Sequence, residues 1–246
     1  MTDALIQVKD LTIGWGDTVL LERASFEIER GEIFVILGGS GCGKSTLLRY
    51  LIGLDTPKAG EITIAGKPNH IEVGKPPFGV MFQSGALLGS LTVGDNLALP
   101  LQTWTNLPRD AISAVVQAKL RLVGLAGAES KLPSELSGGM KKRAAIARAM
   151  ALEPALLFMD EPSAGLDPVI AAQLDDLIIT LNDKLGITMV VVTHDLDSIM
   201  KIAKRCIMLD RESRSIIAQG DPRELREHAE DPRVHAFFNR LPGVAA

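Results

Sequence analysis

Cysteine is scarce in this chain, with only Cys42 and Cys206 among 246 residues. That is too few for a disulfide framework or a cysteine-built metal site, and it suits a reducing compartment. Long apolar runs are missing as well. The longest, Ile33 to Leu37 and Ala155 to Met159, hold five residues each, far short of the ~20 that a membrane span needs. Met1 to Asp10 has neither the basic-then-apolar layout of a secretory signal nor an Arg/Ser-rich transit character, which predicts a cytoplasmic chain. Positive charge is not in surplus: 26 Lys and Arg face 30 Asp and Glu, a net charge of −4, which argues against nucleic acid as a partner. No Ser-, Gly- or Pro-rich tract divides the sequence, so it reads as one α/β domain with an insertion.

What is present alternates between strand and helix patterns. Strands are expected over Leu5 to Ile13, Val19 to Glu29, Ile33 to Leu37 and around Glu61 to Ala65, with a helix from Lys44 to Ile52. From Val93 to about Met150 the pattern is helical, with Pro108 opening one helix whose apolar positions are Ile112, Val115, Val116, Leu120 and Val123. Then follow a strand (Ala155 to Met159), a helix (Val169 to Leu185), a strand (Thr188 to Thr193), a helix (Leu196 to Ala203) and a strand (Arg205 to Leu209). In the long helix Ile170, Leu174, Leu177, Leu181 and Leu185 are expected to form one buried stripe. Helices alternating with apolar strands imply a largely parallel sheet covered on both faces.

Gly38-Gly39-Ser40-Gly41-Cys42-Gly43-Lys44-Ser45-Thr46 follows the apolar strand at Ile33 to Leu37 and opens a helix. This is a phosphate-binding P-loop in the setting it requires: glycines let backbone N–H groups turn inward toward phosphate oxygens, and the helix N-terminus adds a favourable dipole. Lys44 is expected on the β- and γ-phosphates of ATP, and the Ser45 hydroxyl on Mg²⁺. A second apolar strand, Ala155 to Met159, ends in Asp160-Glu161-Pro162. Carboxylates at the end of such a strand sit where an α/β sheet places its ligand. Asp160 is expected to hold Mg²⁺ through water, and Glu161 to orient or deprotonate the attacking water.

Between these elements lies Leu136-Ser137-Gly138-Gly139-Met140-Lys141-Lys142-Arg143, a Ser-capped helix start whose Ser137 hydroxyl and glycine amides read as an anion site, with basic residues on the following turns. With a P-loop before it and Asp-Glu after it, this segment resembles the signature of ABC-transporter ATPases. The resemblance extends over nearly the whole chain. Gln83 in Met81-Phe82-Gln83-Ser84 matches the Q-loop, Ser163-Ala164-Gly165-Leu166-Asp167 the D-loop, Thr193-His194-Asp195 the switch-histidine loop, and Trp15 the aromatic that stacks on adenine. It implies a P-loop NTPase fold with a RecA-like core, an antiparallel β subdomain and an inserted helical subdomain. Residues 1–220 would form that domain, with the helical lobe at about 90–150, and residues 221–246 a helical tail used in assembly. It further implies that Gln83 touches Mg²⁺ and relays to a membrane subunit, and that His194 hydrogen-bonds the γ-phosphate. Two copies would face each other head to tail, the Lys44 and Glu161 of one working with Ser137, Gly138 and Gly139 of the other on a single ATP.

Met140 stands where most of these ATPases carry Gln. Together with Phe82-Gln83-Ser84-Gly85-Ala86-Leu87 and Asp95-Asn96-Leu97-Ala98-Leu99-Pro100-Leu101, it makes the chain similar to the MlaF-type ATPases of Mla/Mce phospholipid transport systems. That implies phospholipid transport between inner and outer membrane in maintenance of outer-membrane asymmetry, at the cytoplasmic face of a bacterial inner membrane. The implied partners are a multispan permease of the MlaE kind, a small STAS-domain protein and a periplasmic MCE-domain subunit. A transporter for another solute, or a soluble ATPase of the iron–sulfur assembly type, shares the same chemistry. Chromosome-maintenance relatives are excluded, since only residues 45–135 separate Lys44 from Leu136 and no long coiled coil fits there. Leu87, Leu88 and Leu91 are expected to line a groove for the permease or else to pack internally. In the tail, Asp221-Pro222-Arg223 and Asp231-Pro232-Arg233 each signal a helix start, and Val234, Phe237, Phe238 and Leu241 form a stripe for either a neighbouring subunit or the chain's own domain.

Overall fold

The computed structural model describes residues 4–69 and 77–241. They fall into two compact units, one built from 4–69 with 188–241 and the other from 77–187.

The first unit opens with β1 (Ala4–Trp15) and β2 (Thr18–Glu29), an antiparallel pair turning through Gly16 and Asp17. β3 (Ile33–Gly38) is buried along its whole length, as a strand covered on both faces must be. It runs through the P-loop into α1 (Lys44–Leu51), whose Leu47, Leu48 and Leu51 are buried. β4 (Ala59–Ile64) pairs antiparallel with β1, and the short β5 (Lys67–Pro68) extends that sheet, giving the order β2-β1-β4-β5. Gly60 permits the close β1–β4 contact, since a Cβ there would meet the Asp10 carbonyl at 2.4 Å.

The second unit contains β6 (Gly79–Met81), α2 (Val93–Trp104), α3 (Arg109–Leu122), α4 (Gly138–Ala149), β7 (Leu156–Asp160) and α5 (Pro168–Leu185). It therefore takes in two strands and α5 besides the helices expected between 93 and 150. β6 and β7 pair in parallel, Gly79 opposite Leu157. Gly79 has no room for a side chain because the Ala149 carbonyl at the end of α4 would lie 2.1 Å from its Cβ. The expected stripe on α5 is rotated. Ala171, Leu174, Ile178 and Leu181 are buried, while Leu185 is exposed and Ile170 and Leu177 half-buried. Apolar residues occur on both sides of Leu174, and spacing alone does not choose between them.

The first unit then resumes with β8 (Thr188–Val192), α6 (Leu196–Ile202), β9 (Arg205–Asp210), β10 (Ser215–Gly220), α7 (Pro222–His228) and α8 (Pro232–Phe238). β3 lies between β8 and β9, parallel to both, and β10 pairs antiparallel with β9. β10 was not anticipated: it follows a charged turn and its residues are mostly half-buried, without the clean alternation that marks a strand. The two Asp-Pro-Arg segments do start helices, with the Asp221 and Asp231 side chains accepting from the amides of Arg223 and Arg233. In the tail stripe Val234 and Phe238 are buried within this unit, Phe237 is half-buried and Leu241 is 50% exposed. Residues 242–246 of the tail lie outside the described residues. Among the described residues no helix is long and apolar enough to cross a membrane.

Candidate functional site

In the first unit, parallel strands bring the P-loop and His194 to the same end of the sheet. Ile36 of β3 is paired with Val192 of β8, so the P-loop leaving β3 and the segment Thr193-His194 leaving β8 emerge side by side. The Thr193 amide donates to the Ile36 carbonyl at 3.3 Å, and its hydroxyl accepts from the Asp195 amide at 3.1 Å. This small turn leaves His194 exposed beside the loop.

Loop geometry depends on its glycines. Gly38 has φ 144°, and a Cβ there would sit 2.4 Å from the Leu209 carbonyl and 2.8 Å from Cys42 Sγ. Gly41 and Gly43 take left-handed φ of 75° and 99°, which Ser40 and Ser45 could adopt only with strain. Lys44 is buried and its ammonium donates back to the carbonyls of Gly38 at 2.8 Å and Gly39 at 2.9 Å. An ammonium has three donors, so one is left for a phosphate oxygen. The start of α1 has Gly43 as cap, no side-chain hydrogen bond to its first amides and no acidic residue in its first turn. The positive end of this helix dipole favours an anion, which fits the phosphates of ATP. Ser40, Ser45 and Thr46 lie exposed or half-buried along this loop. Burial pushes the Cys42 thiol up, against the opposing pull of Lys44, so Cys42 serves the loop through its backbone and not as a thiolate.

Trp15 ends β1 and is 56% exposed, as a stacking platform must be. A residue that the sequence reading missed supports it: Tyr50 on α1 is buried and its hydroxyl contacts both backbone groups of Gly14. On the outer side of the P-loop a cavity of about 770 Å³ is bounded by Gly39, Ser40, Arg211, Arg214, Phe237 and Leu241, among others. Arg233 and Arg240 at its rim are paired with Asp210 and Asp231 and with Asp197.

The second unit carries the other expected residues. β7 ends in Asp160, half-buried, and Glu161, 8% exposed. Glu161 adopts a left-handed φ of 47°, a conformation that costs a non-glycine residue ~1 kcal/mol or more. Such strain at a strand end aims the side chain away from the path the strand would take. Gln83 is exposed after β6, in a loop that turns through Gly85 (φ 76°) and Ala86 (φ 49°). Ser137 caps α4, its hydroxyl accepting from the Met140 amide at 3.3 Å. Ser137 and Gly138 are exposed, and Gly139 is buried because its face meets α5: a Cβ there would lie 2.5 Å from Ile170 Cγ2.

Lys142, Arg143 and Arg148, which follow the signature, each donate to backbone carbonyls. Lys142 is buried and its ammonium donates to the Gln83 carbonyl at 2.6 Å and the Glu161 carbonyl at 3.0 Å. Burial holds it below the usual ammonium range, although the carboxylates of Glu161 and Asp160 act in the opposite sense. Arg148 donates to the carbonyls of Ala86 and Gly85, and Arg143 to that of Val123 at 3.3 Å. All three lie beyond the first turn of α4, past its positive end, and find neutral carbonyls there. No group of three or more His, Cys, Asp or Glu suited to a metal occurs among the described residues.

The chain matches the ABC transporter family over residues 21–164. It is 40% identical over 247 residues to the intermembrane phospholipid transport system ATP-binding protein MlaF of Escherichia coli K12, covering 98% of this chain and 90% of that protein. It is also 40% identical over 240 residues to the probable ribonucleotide transport ATP-binding protein mkl of Mycobacterium leprae, covering 95% of this chain and 68% of that protein. Among solved structures, the ATP-binding cassette MJ0796, a dimer in a post-hydrolysis state bound to ADP and Pi, superposes with a TM-score of 0.77 at 29% identity, covering 88% of this chain and 98% of that one.

Proposed function

Because the chain belongs to the ABC transporter family and is one of its ATPases, we propose that it powers phospholipid transport between inner and outer membrane and so maintains the lipid asymmetry of the outer membrane. The observation that carries this reading is the end-to-end similarity to MlaF, 90% of whose length the chain spans. Met140 and the segments around Gln83 and Asn96 support it. In this reading the protein sits at the cytoplasmic face of the inner membrane through its partners: a second copy of itself, a multispan permease, a small STAS-domain protein and a periplasmic MCE-domain subunit. Leu88, 45% exposed, heads the surface offered to the permease. Leu241 leaves the end of the tail stripe available for assembly.

The residues divide the work on ATP. Trp15 stacks on the base, and the amides of Gly38 to Thr46 with Lys44 hold the phosphates. Ser45, Gln83 and Asp160 would hold Mg²⁺, which neutralises charge on the β- and γ-phosphates when bound. Glu161 orients and deprotonates the attacking water, and His194 donates to the γ-phosphate. In a head-to-tail pair Ser137, Gly138 and Gly139 of the opposite copy close the site and exclude water, and loss of the γ-phosphate removes the charge that joins the halves.

Two measurements test the reading. Glu161→Gln is expected to lower turnover by ~10² or more while ATP stays bound, the usual scale for a general base, and Lys44→Ala to weaken nucleotide binding instead. Mass spectrometry of molecules that co-purify with the detergent-extracted complex is expected to find phospholipid. Another solute in their place, a nucleotide cargo included, or purification without any multispan permease overturns the assignment.

A further inference from the structure

We propose that Lys142 is a positioning residue for ATP hydrolysis, fixing the backbone of the Q-loop glutamine and of the catalytic carboxylate against one helix. The inference rests on the ATPase role given to Glu161 above. One buried ammonium on α4 joins two chain segments that are far apart in sequence, at the carbonyls of Gln83 and Glu161. Each carbonyl belongs to a residue given a chemical task above, and Lys142 holds the backbone and not the side chain of each.

The conformation of Glu161 shows why such a hold is needed. Its left-handed φ persists only if the surroundings determine it, and two hydrogen bonds to its carbonyl do so: the Lys142 ammonium at 3.0 Å and the Ala164 amide at 3.2 Å. The Q-loop is treated in the same way six residues further along α4. Arg148 donates to the carbonyls of Gly85 and Ala86, both left-handed, and Gly85 packs so closely on α4 that a Cβ would stand 3.3 Å from that of Ala145. The second unit thus holds the backbones of Gln83 and Glu161 against one helix, which Ser137 caps and Gly138-Gly139 begins.

A purely structural filler would not call for a cation here. Burying an ammonium is costly relative to an apolar side chain of similar size, and the depressed basicity of Lys142 reflects that cost. What an ammonium supplies and a methionine does not is several donors at one point, able to hold two carbonyls in a fixed relation. The expected functional consequence lies in turnover, because the P-loop that binds the nucleotide is untouched.

The test uses the full chain, with ATP hydrolysis, ATP binding and thermal melting measured for wild type, Lys142→Met, Lys142→Arg and Glu161→Gln. Lys142→Met is expected to lower kcat about tenfold or more with ATP affinity within about threefold, a loss confined to the transition state. Lys142→Arg, which keeps the donors, is expected to recover most of that kcat. A Lys142→Met protein with kcat within about twofold of wild type, or one whose loss falls on ATP affinity, overturns the proposal. So does equal loss in Lys142→Arg and Lys142→Met. Should Lys142→Met not fold, Lys142→Leu, which also lacks donors, is judged by the same criteria. Glu161→Gln separates the two readings: unchanged hydrolysis in that variant removes Glu161 from the chemistry whatever Lys142 does.

Discussion

The hydroxyl of Tyr50 donates to the carbonyl of Gly14 at 3.0 Å, so the chain's single tyrosine ties the strand ending in Trp15 to the helix that begins at Lys44. The Gly14 amide lies 3.5 Å from the same oxygen. Gly14 cannot carry a side chain, since a Cβ would fall 2.0 Å from the Thr18 carbonyl. One buried hydroxyl therefore connects the strand end that carries Trp15 to the helix that follows the P-loop.

Tyr50→Phe removes that connection and leaves buried backbone groups of Gly14 without their partner. The expected cost is about 1–2 kcal/mol in stability. Because stacking on the base contributes equally to ground and transition states, KM for ATP is expected to rise about threefold with kcat unchanged. Steady-state hydrolysis checks this, and an unchanged KM would mean that Trp15 is held by β1 alone.

The asymmetry between what was legible and what was not follows from range. The P-loop, the Asp-Pro-Arg helix starts and the buried β3 are local: glycine spacing, a fixed proline φ and a run of five apolar residues each determine their own stretch of chain. Lys142 is different. In sequence it is one of three basic residues that follow the anion site expected at a helix cap, whereas its two acceptors, Gln83 and Glu161, are brought to it only by the packing of β6 and β7 beside α4. Tyr50 and Asn96 are hidden for the same reason, since a lone tyrosine or asparagine within an apolar helix pattern carries no signal about which distant backbone it satisfies. On α5 the error was one of phase: Leu177 and Ile178 compete for the inner face, and the structure buries Ile178.

Asn96 is fully buried in α2 and holds the loop before it. Its carbonyl oxygen accepts from the Leu88 amide at 2.8 Å, and its amide donates to the carbonyls of Leu88 at 3.1 Å, Leu91 at 3.2 Å and Thr92 at 2.9 Å. Asn96→Ala strands several of these groups at once, and the expected loss is about 3 kcal/mol by chemical denaturation. Leu88→Glu acts on the same loop from outside. It is expected to leave stability and nucleotide binding intact while the permease no longer co-purifies, and retained co-purification would remove Leu88 from the docking surface.

The tail helix α8 is anchored by charge at its first turn. Arg233 donates to Asp210 and to Asp231, both at 2.7 Å. The Arg233 guanidinium holds Asp231 below the usual carboxylate range. At Asp210 burial acts upward, but the amide and hydroxyl of Ser213 together with Arg233 outweigh it, and the net shift is also downward. Carboxylates whose folded-state values are depressed contribute stability that is present above their unfolded value of about 4 and is lost as pH falls through the lower folded value. Arg233→Ala is therefore expected to cost about 1 kcal/mol at neutral pH, the scale of a partly exposed ion pair, with the difference from wild type shrinking as pH falls below 4. Urea denaturation of both proteins across that range checks the sign, and a difference independent of pH would assign the effect to packing.

Gly139 separates a packing requirement from a ligand requirement within the signature. Its buried face allows no side chain, because a Cβ would approach Ile170 Cγ2 to 2.5 Å. Gly138 is exposed, and a Cβ there would meet only Leu166 Cδ2 at 3.3 Å. Gly139→Ala is expected to push α4 away from α5, costing about 1–3 kcal/mol as overpacking does, and to reduce hydrolysis while leaving the P-loop's nucleotide binding in place. Removing the obstructing methyl groups with Ile170→Ala should restore stability to the Gly139→Ala background, since the two changes share one contact and must be non-additive. Hydrolysis then decides between the roles. If it returns in the double variant, Gly139 is glycine because α5 lies behind it. If stability returns and hydrolysis does not, Gly139 is glycine because the γ-phosphate of the opposing site must approach its backbone.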